Sequence, residues 1–486
     1  MAKKINAVAS GHELTSYTAK EILKAGGNAF DAAIAAYLSM FVTEPHMASA
    51  GAAGFATTYQ NGKCKFYDFF CQTPRSKASR DKIDFYPITV DFGNEQEVFH
   101  VGLASAAVPG TIAGIWKIHQ DLGRLPFKEL IVIPSQLATE GVQLNNFQAY
   151  DLKLLAPIAK NSLEGQKMFF KDDEPKKVGD SMTIPELPDF LSFLAEEGAN
   201  GFYKGEIGRK IAYDTQNKGG FLSRKDFENY KVIVKKPIAL PYKGMHLQLP
   251  NLPSLGGMLT GIVLNSKDKS LESNLIYTNT LLRSTDYLKT AFEERTGVQI
   301  HDDIFNTNFK GTSHLNVIDS EGQAISLTTS MGEGSGYFIP GIGQQLNNML
   351  GESFLLPEGF HKWKEDIRMS SMMSPTMILN SAKELVFAGG SGGASRIPFA
   401  IAQVIKNIYE HGMPLGDAIE APRMHYQEDI MNLENETLLK QIKYKEKLNI
   451  WNKKSIYFGG VHALAKINGE WEAKGDSRRE GHGEVF

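Results

Sequence analysis

Only two cysteines, Cys64 and Cys71, occur in 486 residues, so no disulfide framework carries this fold. An expected strand separates them by seven residues and sets the sulfurs on opposite faces, which argues against a bond between them. Without clustered histidines they make no zinc site. Reduced structural cysteines point to the cytoplasm. A charge excess is also lacking. The 52 Lys and Arg nearly balance the 55 Asp and Glu, for a net charge of −3. No basic stripe suggests nucleic acid, and no like-charge block suggests an interaction tail. No apolar run reaches the roughly 18 residues of a membrane helix. The stretch Ala29–Val42 contains Asp31 and Tyr37 and stops at Glu44-Pro45. The opening MAKKINAVASGHELTS carries two lysines but no apolar core of a signal peptide, so none is expected. Repeats and low-complexity linkers are missing, and nothing implies a cofactor or a metal.

What remains is an ordinary globular composition, 42% hydrophobic and 22% charged. Single cores rarely grow past about 250–300 residues. The chain therefore needs two domains or one layered unit with two sheets. Residues 16–43 read as two helices broken at Gly26-Gly27-Asn28, with Gly as the helix stop and a new start at Ala29. Phe55–Phe70 reads as two strands turning at Asn61-Gly62. Val108-Pro109-Gly110-Thr111 opens a helix to about Gln120. Residues 127–140 suggest another helix with a boundary at Pro134, and residues 185–213 two more around Pro188 and Gly198. Asp226–Tyr242 and His246–Leu249 read as strands, and residues 272–293 as helix. Short strands follow at 315–318, 324–327, 377–379, 385–388 and 461–467, with a helix at Pro398–Glu410. Elements in blocks, without strict βαβ alternation, predict an α+β fold of antiparallel sheets covered by helices.

The segment with the most chemistry is Phe309-Lys310-Gly311-Thr312-Ser313-His314-Leu315. A glycine before a hydroxyl residue at a strand start suits attack on the preceding carbonyl, because Gly311 has no side chain in the way. An N→O acyl shift and hydrolysis would free Thr312 as a new N-terminus. Its α-amine, of pKa about 7.7–8.0, could then act as base for its own hydroxyl. If Ser320-Glu321-Gly322 is a hairpin loop with Gly322 left-handed, Thr312 pairs with Ser330; a slip of one residue would bring Thr329 instead. On its own, a Gly-Thr at a strand start equally describes an ordinary β-hairpin. Further on, Gly389-Gly390-Ser391-Gly392-Gly393-Ala394-Ser395-Arg396 lies between a strand and a helix. It could be a phosphate loop, but it lacks the Lys-Ser/Thr ending and matches no strict GxGxxG.

The string GTSHLNVIDSEGQAISLT resembles the start of the small subunit of γ-glutamyltranspeptidases. LTSYTAKEILKAGGNAFDAAIAA, VPGTIAG, PSQLATEGV, LPSLGG, LNNM, SSMMSPT, GGSGGASRI and DAIEAPRMH are similar to further motifs in the family's order, over nearly the whole chain. The resemblance implies a four-layer αββα N-terminal nucleophile hydrolase. It implies a proenzyme cut between Gly311 and Thr312 into residues 1–311 and 312–486, which stay intertwined as one domain. The two pieces would form a heterodimer, or a dimer of heterodimers, acting on a small-molecule amide with neither nucleic acid nor membrane as partner. Backbone N–H groups of Gly393 and Ala394 would form the oxyanion hole. Ala394 stands where the family has a second glycine.

The donor pocket departs from the family pattern. The family's Asp-Phe-Arg becomes Asp68-Phe69-Phe70, which removes the arginine that clamps the γ-glutamyl α-carboxylate; Arg75 or Arg80 would have to replace it. The three residues that hold the α-amino group align with Gly332, Met349 and Glu352. Ser370 and Ser371 match the carboxylate-binding pair, and Asn347-Asn348 would shape the pocket wall. His314 shares a strand face with Thr312, but with an α-amine at hand it is expected to serve as a hydrogen-bonding residue. Asp476-Ser477-Arg478-Arg479 resembles a structural Asp-Pro-Arg element. Asp302-Asp303 lacks the further ligands a metal would need. Three functions stay open: a self-processing γ-glutamyl hydrolase or transpeptidase, an acylase of the same fold for another donor, and an uncleaved non-catalytic homologue.

Overall fold

The computed structural model describes residues 5–77, 83–91, 96–282, 285–299, 311–352, 359–444 and 446–486. Asp302-Asp303 and Arg80 lie outside the described residues. Two stacked sheets form the centre. The first holds β1 (Ala7–Ser10), β2 (Ala53–Gln60), β3 (Lys63–Phe69), β4 (Ile233–Lys235), β7 (Thr312–Ile318), β8 (Ala324–Ser330) and β13 (His482–Val485), in the order β4-β3-β2-β8-β7-β1-β13. The second holds β5 (Ile238–Tyr242), β6 (Met245–Leu249), β9 (Thr376–Leu379), β10 (Leu385–Gly392), β11 (Gly460–Ile467) and β12 (Glu470–Lys474), in the order β5-β6-β9-β10-β11-β12. All pairings in both sheets are antiparallel. β7 and β8 stack on β10, while α1 (Glu13–Lys24) and α2 (Ala29–Thr43) cover the other side of the first sheet. Helices Leu255–Leu264 and Ile397–Tyr409 cover the second sheet. This is the expected αββα sandwich.

Local sequence explains the pieces that set up the site. Gly26 has φ +94 just after the end of α1, a conformation cheap for glycine alone. Asn28 then caps α2 in a box with Asp31. All of α2 is buried, because it lies between the first sheet and further helices. The β7–β8 hairpin turns at Gly322, φ +78, and its register pairs Ile318 with Ala324 and Thr312 with Ser330. Asp319 fixes that turn. Its Oδ1 accepts from the N–H groups of Glu321 (2.9 Å) and Gln323 (3.0 Å), and its Oδ2 from Ala29 N–H (2.9 Å) at the start of α2.

Some expectations fail. Residues 226–242 are not one strand: Arg224–Asn229 is a helix capped by Ser223, and the two strands after it enter different sheets. The 272–293 helix is two, Leu271–Leu281 and Thr285–Thr296. The boundary expected at Pro134 falls at Ile131, since proline in a first helical turn loses no bond. Both cysteines are free, and Cys71 lies beyond the end of β3.

Candidate active site

Alternation along β7 divides its side chains by environment. Leu315 and Val317 join the core under the helices, while Ile318 joins the apolar contact between the sheets. Moving from Ile318 toward Thr312 along the intersheet face, the side chains turn polar. His314 Nδ1 is hydrogen-bonded to Thr328 Oγ1 (2.8 Å), and its Nε2 to Asn316 Oδ1 (3.0 Å). Asn316 donates onward to the His462 carbonyl (2.9 Å). Burial lowers the His314 pKa to about 3, so the ring is neutral. Both of its nitrogens are occupied within the strand pair.

At the end of this stripe Thr312 is fully buried, and its Oγ1 has no hydrogen-bond partner in the protein. Such an orphan costs about 1–3 kcal/mol and leaves the hydroxyl free for another partner. Ser330, its cross-strand partner, donates to the carbonyl oxygen of Gly311 (2.8 Å). A hydroxyl therefore polarises the peptide immediately before Thr312. Glycine is required at 311 because a Cβ there would lie 1.8 Å from the Gly332 carbonyl oxygen. Gly332, at φ +66, is in turn packed on Asn348 Oδ1, which accepts from Glu333 N–H (2.8 Å). Thr329 does not face this point: it pairs with Ser313, and its hydroxyl meets Tyr37 (2.5 Å).

The glycine loop approaches from β10. A Cβ on Gly392 would lie 2.1 Å from the Thr312 carbonyl oxygen, so only glycine permits the contact. Gly393 (φ +120) and Ala394 (φ +53) then turn the chain into the following helix. Arg479 Nη1 donates to the Thr312 carbonyl (2.8 Å). Gly311, Gly393 and Arg479 open on one cleft, with Asp151, Glu333 and Arg396 and an aromatic wall including Phe147, Trp451 and Tyr457. Its cavity volume is about 60 Å³.

One carboxyl stands behind the cleft and another lines it. Glu44, just after α2, accepts from Ser313 Oγ (2.6 Å), and burial raises its pKa to about 7. Burial does the same to Asp151, against the pull of Arg479. His46 stacks on Phe169 at 4.3 Å, and burial lowers its pKa to about 4. The neighbouring Arg478 takes a different path from Arg479. It joins Asp476 (3.1 Å) and Glu434 (2.5 Å), and Arg423 closes the buried network on Asp476 (2.6 Å). Those two arginines hold the Asp476 carboxyl well below the usual range, against its own burial.

A sequence profile of the family described as γ-glutamyltranspeptidase matches residues 15–308 and 299–486. The chain belongs to that family. A glutathione hydrolase proenzyme of Pseudomonas aeruginosa is 29% identical over 471 residues, covering 87% of this chain and 83% of the relative. The capsule biosynthesis protein CapD proenzyme of Bacillus anthracis is 26% identical over 511 residues, covering 98% and 89%. Among solved structures, cephalosporin acylase from Bacillus halodurans superposes with a TM-score of 0.81 at 21% identity, covering 99% of this chain and 96% of that one. The fold is thus that of N-terminal nucleophile hydrolases, and acyl-enzyme chemistry holds at the level of the family.

Of the residues that family resemblance assigns to the donor pocket, Gly332, Asn348 and Glu352 gather beside Gly311, while others lie farther off. Phe70 does not line the cleft. It is fully buried with Phe55 (ring centroids 5.3 Å), in the same apolar cluster as Met349, Leu350, Met372 and Met373. It follows β3, which β2 and β8 separate from β7, so strand spacing sets it roughly 14 Å from Thr312. Arg75 does not compensate; it pairs with Asp366 (2.9 Å) at the surface. An arginine missed in the sequence, Arg368, does reach this corner. It binds the Phe70 carbonyl, the Tyr230 hydroxyl (2.5 Å) and, at 3.5 Å, Asp68. Ser370 and Ser371 are buried beside it; Ser371 Oγ accepts from Met373 N–H (3.1 Å). Asn347 saturates its amide on the backbone of Gly51, Ala107 and Met349. Glu352 is buried near Gly332. Sequence reasoning overlooked Glu44 and Asp151 and took Arg479 as structural. The available signals were an acid directly after a long, largely apolar helix and a doubled arginine near the C-terminus.

No helix among the described residues is long and apolar enough to cross a membrane.

Proposed function

We propose that this chain is a self-processing amidohydrolase or acyltransferase with Thr312 as its N-terminal nucleophile. The observation that carries the reading is the pairing of an unpartnered Thr312 Oγ1 with a Gly311 carbonyl held by Ser330. In processing, Oγ1 attacks the Gly311 carbonyl carbon, and the Ser330 hydroxyl stabilises charge on its oxygen. The C–N bond breaks as an ester to Thr312 Oγ1 forms, the hydroxyl proton passing to the departing nitrogen. Water hydrolyses that ester, leaving a Gly311 carboxylate and the Thr312 amine. The cut divides the chain into residues 1–311 and 312–486, which remain one heterodimeric domain. In turnover the amine takes the Oγ1 proton, and Oγ1 attacks the substrate amide. The Gly393 and Ala394 N–H groups stabilise the oxyanion. The proton passes to the leaving amine, and water or another amine resolves the acyl-enzyme.

The donor class is γ-glutamyl-type amides, a reading supported by the family and by relatives named glutathione hydrolase. A second reading, an acylase for another donor, is favoured by Phe70 and Met349 in an apolar cluster where a charged head group would need partners. Paired assays with γ-glutamyl and glutaryl anilides divide them. Faster γ-glutamyl turnover supports the first; equal or faster glutaryl turnover supports the second. The two free cysteines support a reducing, cytoplasmic setting.

A further inference from the structure

We propose that Arg479 is a positioning residue that tunes the freed Thr312 amine, its fixed positive charge keeping that amine unprotonated near neutral pH. This rests on the reading above. Arg479 is buried and donates through Nη1 to the Thr312 carbonyl (2.8 Å), while its Nε has no hydrogen-bond partner. The carbonyl oxygen of a residue is two bonds from its Cα and the nitrogen one, so Arg479 Nη1 lies within about 6 Å of the Thr312 nitrogen. A cation at that range disfavours a second positive charge and lowers the pKa of the amine. An N-terminal nucleophile needs this, because a protonated amine cannot accept the Oγ1 proton.

The surroundings leave the charge effective. Facing Arg479 are Glu44 from the end of α2, Asp151 from the helix Asn146–Ala159, Arg396 at the start of Ile397–Tyr409, Asp476 on its own turn and His462 from β11. Asp476 is already committed to Arg423 and Arg478. Burial holds His462 neutral, and it holds Glu44 and Asp151 largely protonated up to about pH 7. The guanidinium is anchored between Met47 Sδ (3.4 Å) and the Phe147 ring (5.5 Å).

The test is the pH dependence of cyanate carbamoylation of the Thr312 amine, read by intact mass of the small fragment. It compares wild type, Arg479→Lys, Arg479→Met and Glu44→Gln, alongside the pH profile of kcat/KM. Arg479→Met should raise the amine's pKa and the acid limb by about one unit, costing roughly threefold in rate at neutral pH, nearly tenfold well below it and little at high pH. Arg479→Lys keeps the charge and should leave the limb in place. Glu44→Gln should leave it nearly in place, because burial keeps Glu44 mostly protonated below pH 7. A purely structural arginine would lower rates at every pH without moving the limb, and that result overturns the proposal. If Arg479→Met stays uncut, residues 1–311 co-expressed with a Met-initiated 312–486 carrying Arg479→Met supply the Thr312 amine once the initiator methionine is removed, and an unmoved limb there overturns the proposal. A wild-type fragment that does not begin at Thr312 would instead sink the underlying reading.

Discussion

The two sides of Thr312 are built from opposite materials. Toward the cleft and β10 the contacts of its backbone are polar: the Gly311 carbonyl on Ser330, the Thr312 carbonyl on Arg479, the close-approaching Gly392. Across β8 and β2, Phe70 lies in one apolar cluster with Phe55, Met349 and Met372. The contrast teaches that the polar contacts at Thr312 and the apolar contacts around Phe70 answer to different constraints. The first depend on a few hydrogen bonds and close backbone approaches, which tolerate almost no change. The second depend on filling space, which many residues can do.

Substitutions should therefore separate cleavage from stability. Thr312→Ala should abolish self-cleavage and lower amidase activity by about 10⁴-fold or more, with the thermal midpoint nearly unchanged. Ser330→Ala should slow cleavage by about 10²–10³-fold, seen as uncut chain on a gel after timed expression. Phe70→Ala should do the reverse, costing about 3–5 kcal/mol in denaturant melts through its cavity while the protein that folds still cleaves. Loss of cleavage there would join the two sides and break the comparison.

Smaller effects sharpen it. Glu44 has its pKa raised by burial from 4.5 to about 7, so its stabilising share is full below pH 4.5 and is lost as pH rises through 7. Glu44→Gln should accordingly gain about 3 kcal/mol over wild type at pH 8, relative to the difference at pH 4. Paired urea melts at the two pH values measure it. Ala394 holds φ +53, and Ala394→Gly should change stability by less than about 1 kcal/mol, since relieved strain offsets added chain entropy.

Much of this was legible because it is local. The Gly322 turn set the hairpin register and with it the Thr312–Ser330 pair, and Gly26 with Asn28 marked the break between α1 and α2. What escaped depends on distant segments. β1 is four residues long and pairs only with residues 315–318 and 482–485, so no periodicity announced it. Arg478 and Arg479 are adjacent and alike in sequence. Only the fold sends one into an ion network and the other to the nucleophile. The burial of Phe70 was likewise hidden, because its cluster gathers residues from β2, β6 and the loop after residue 345.

The most direct measurement is the intact mass and amino-terminal sequence of purified wild type beside Thr312→Ala. Two wild-type fragments are expected, residues 1–311 and a smaller one beginning Thr312-Ser313-His314, with the variant whole. A wild-type chain that stays intact, or a small fragment that begins at another residue, would contradict Thr312 as the nucleophile.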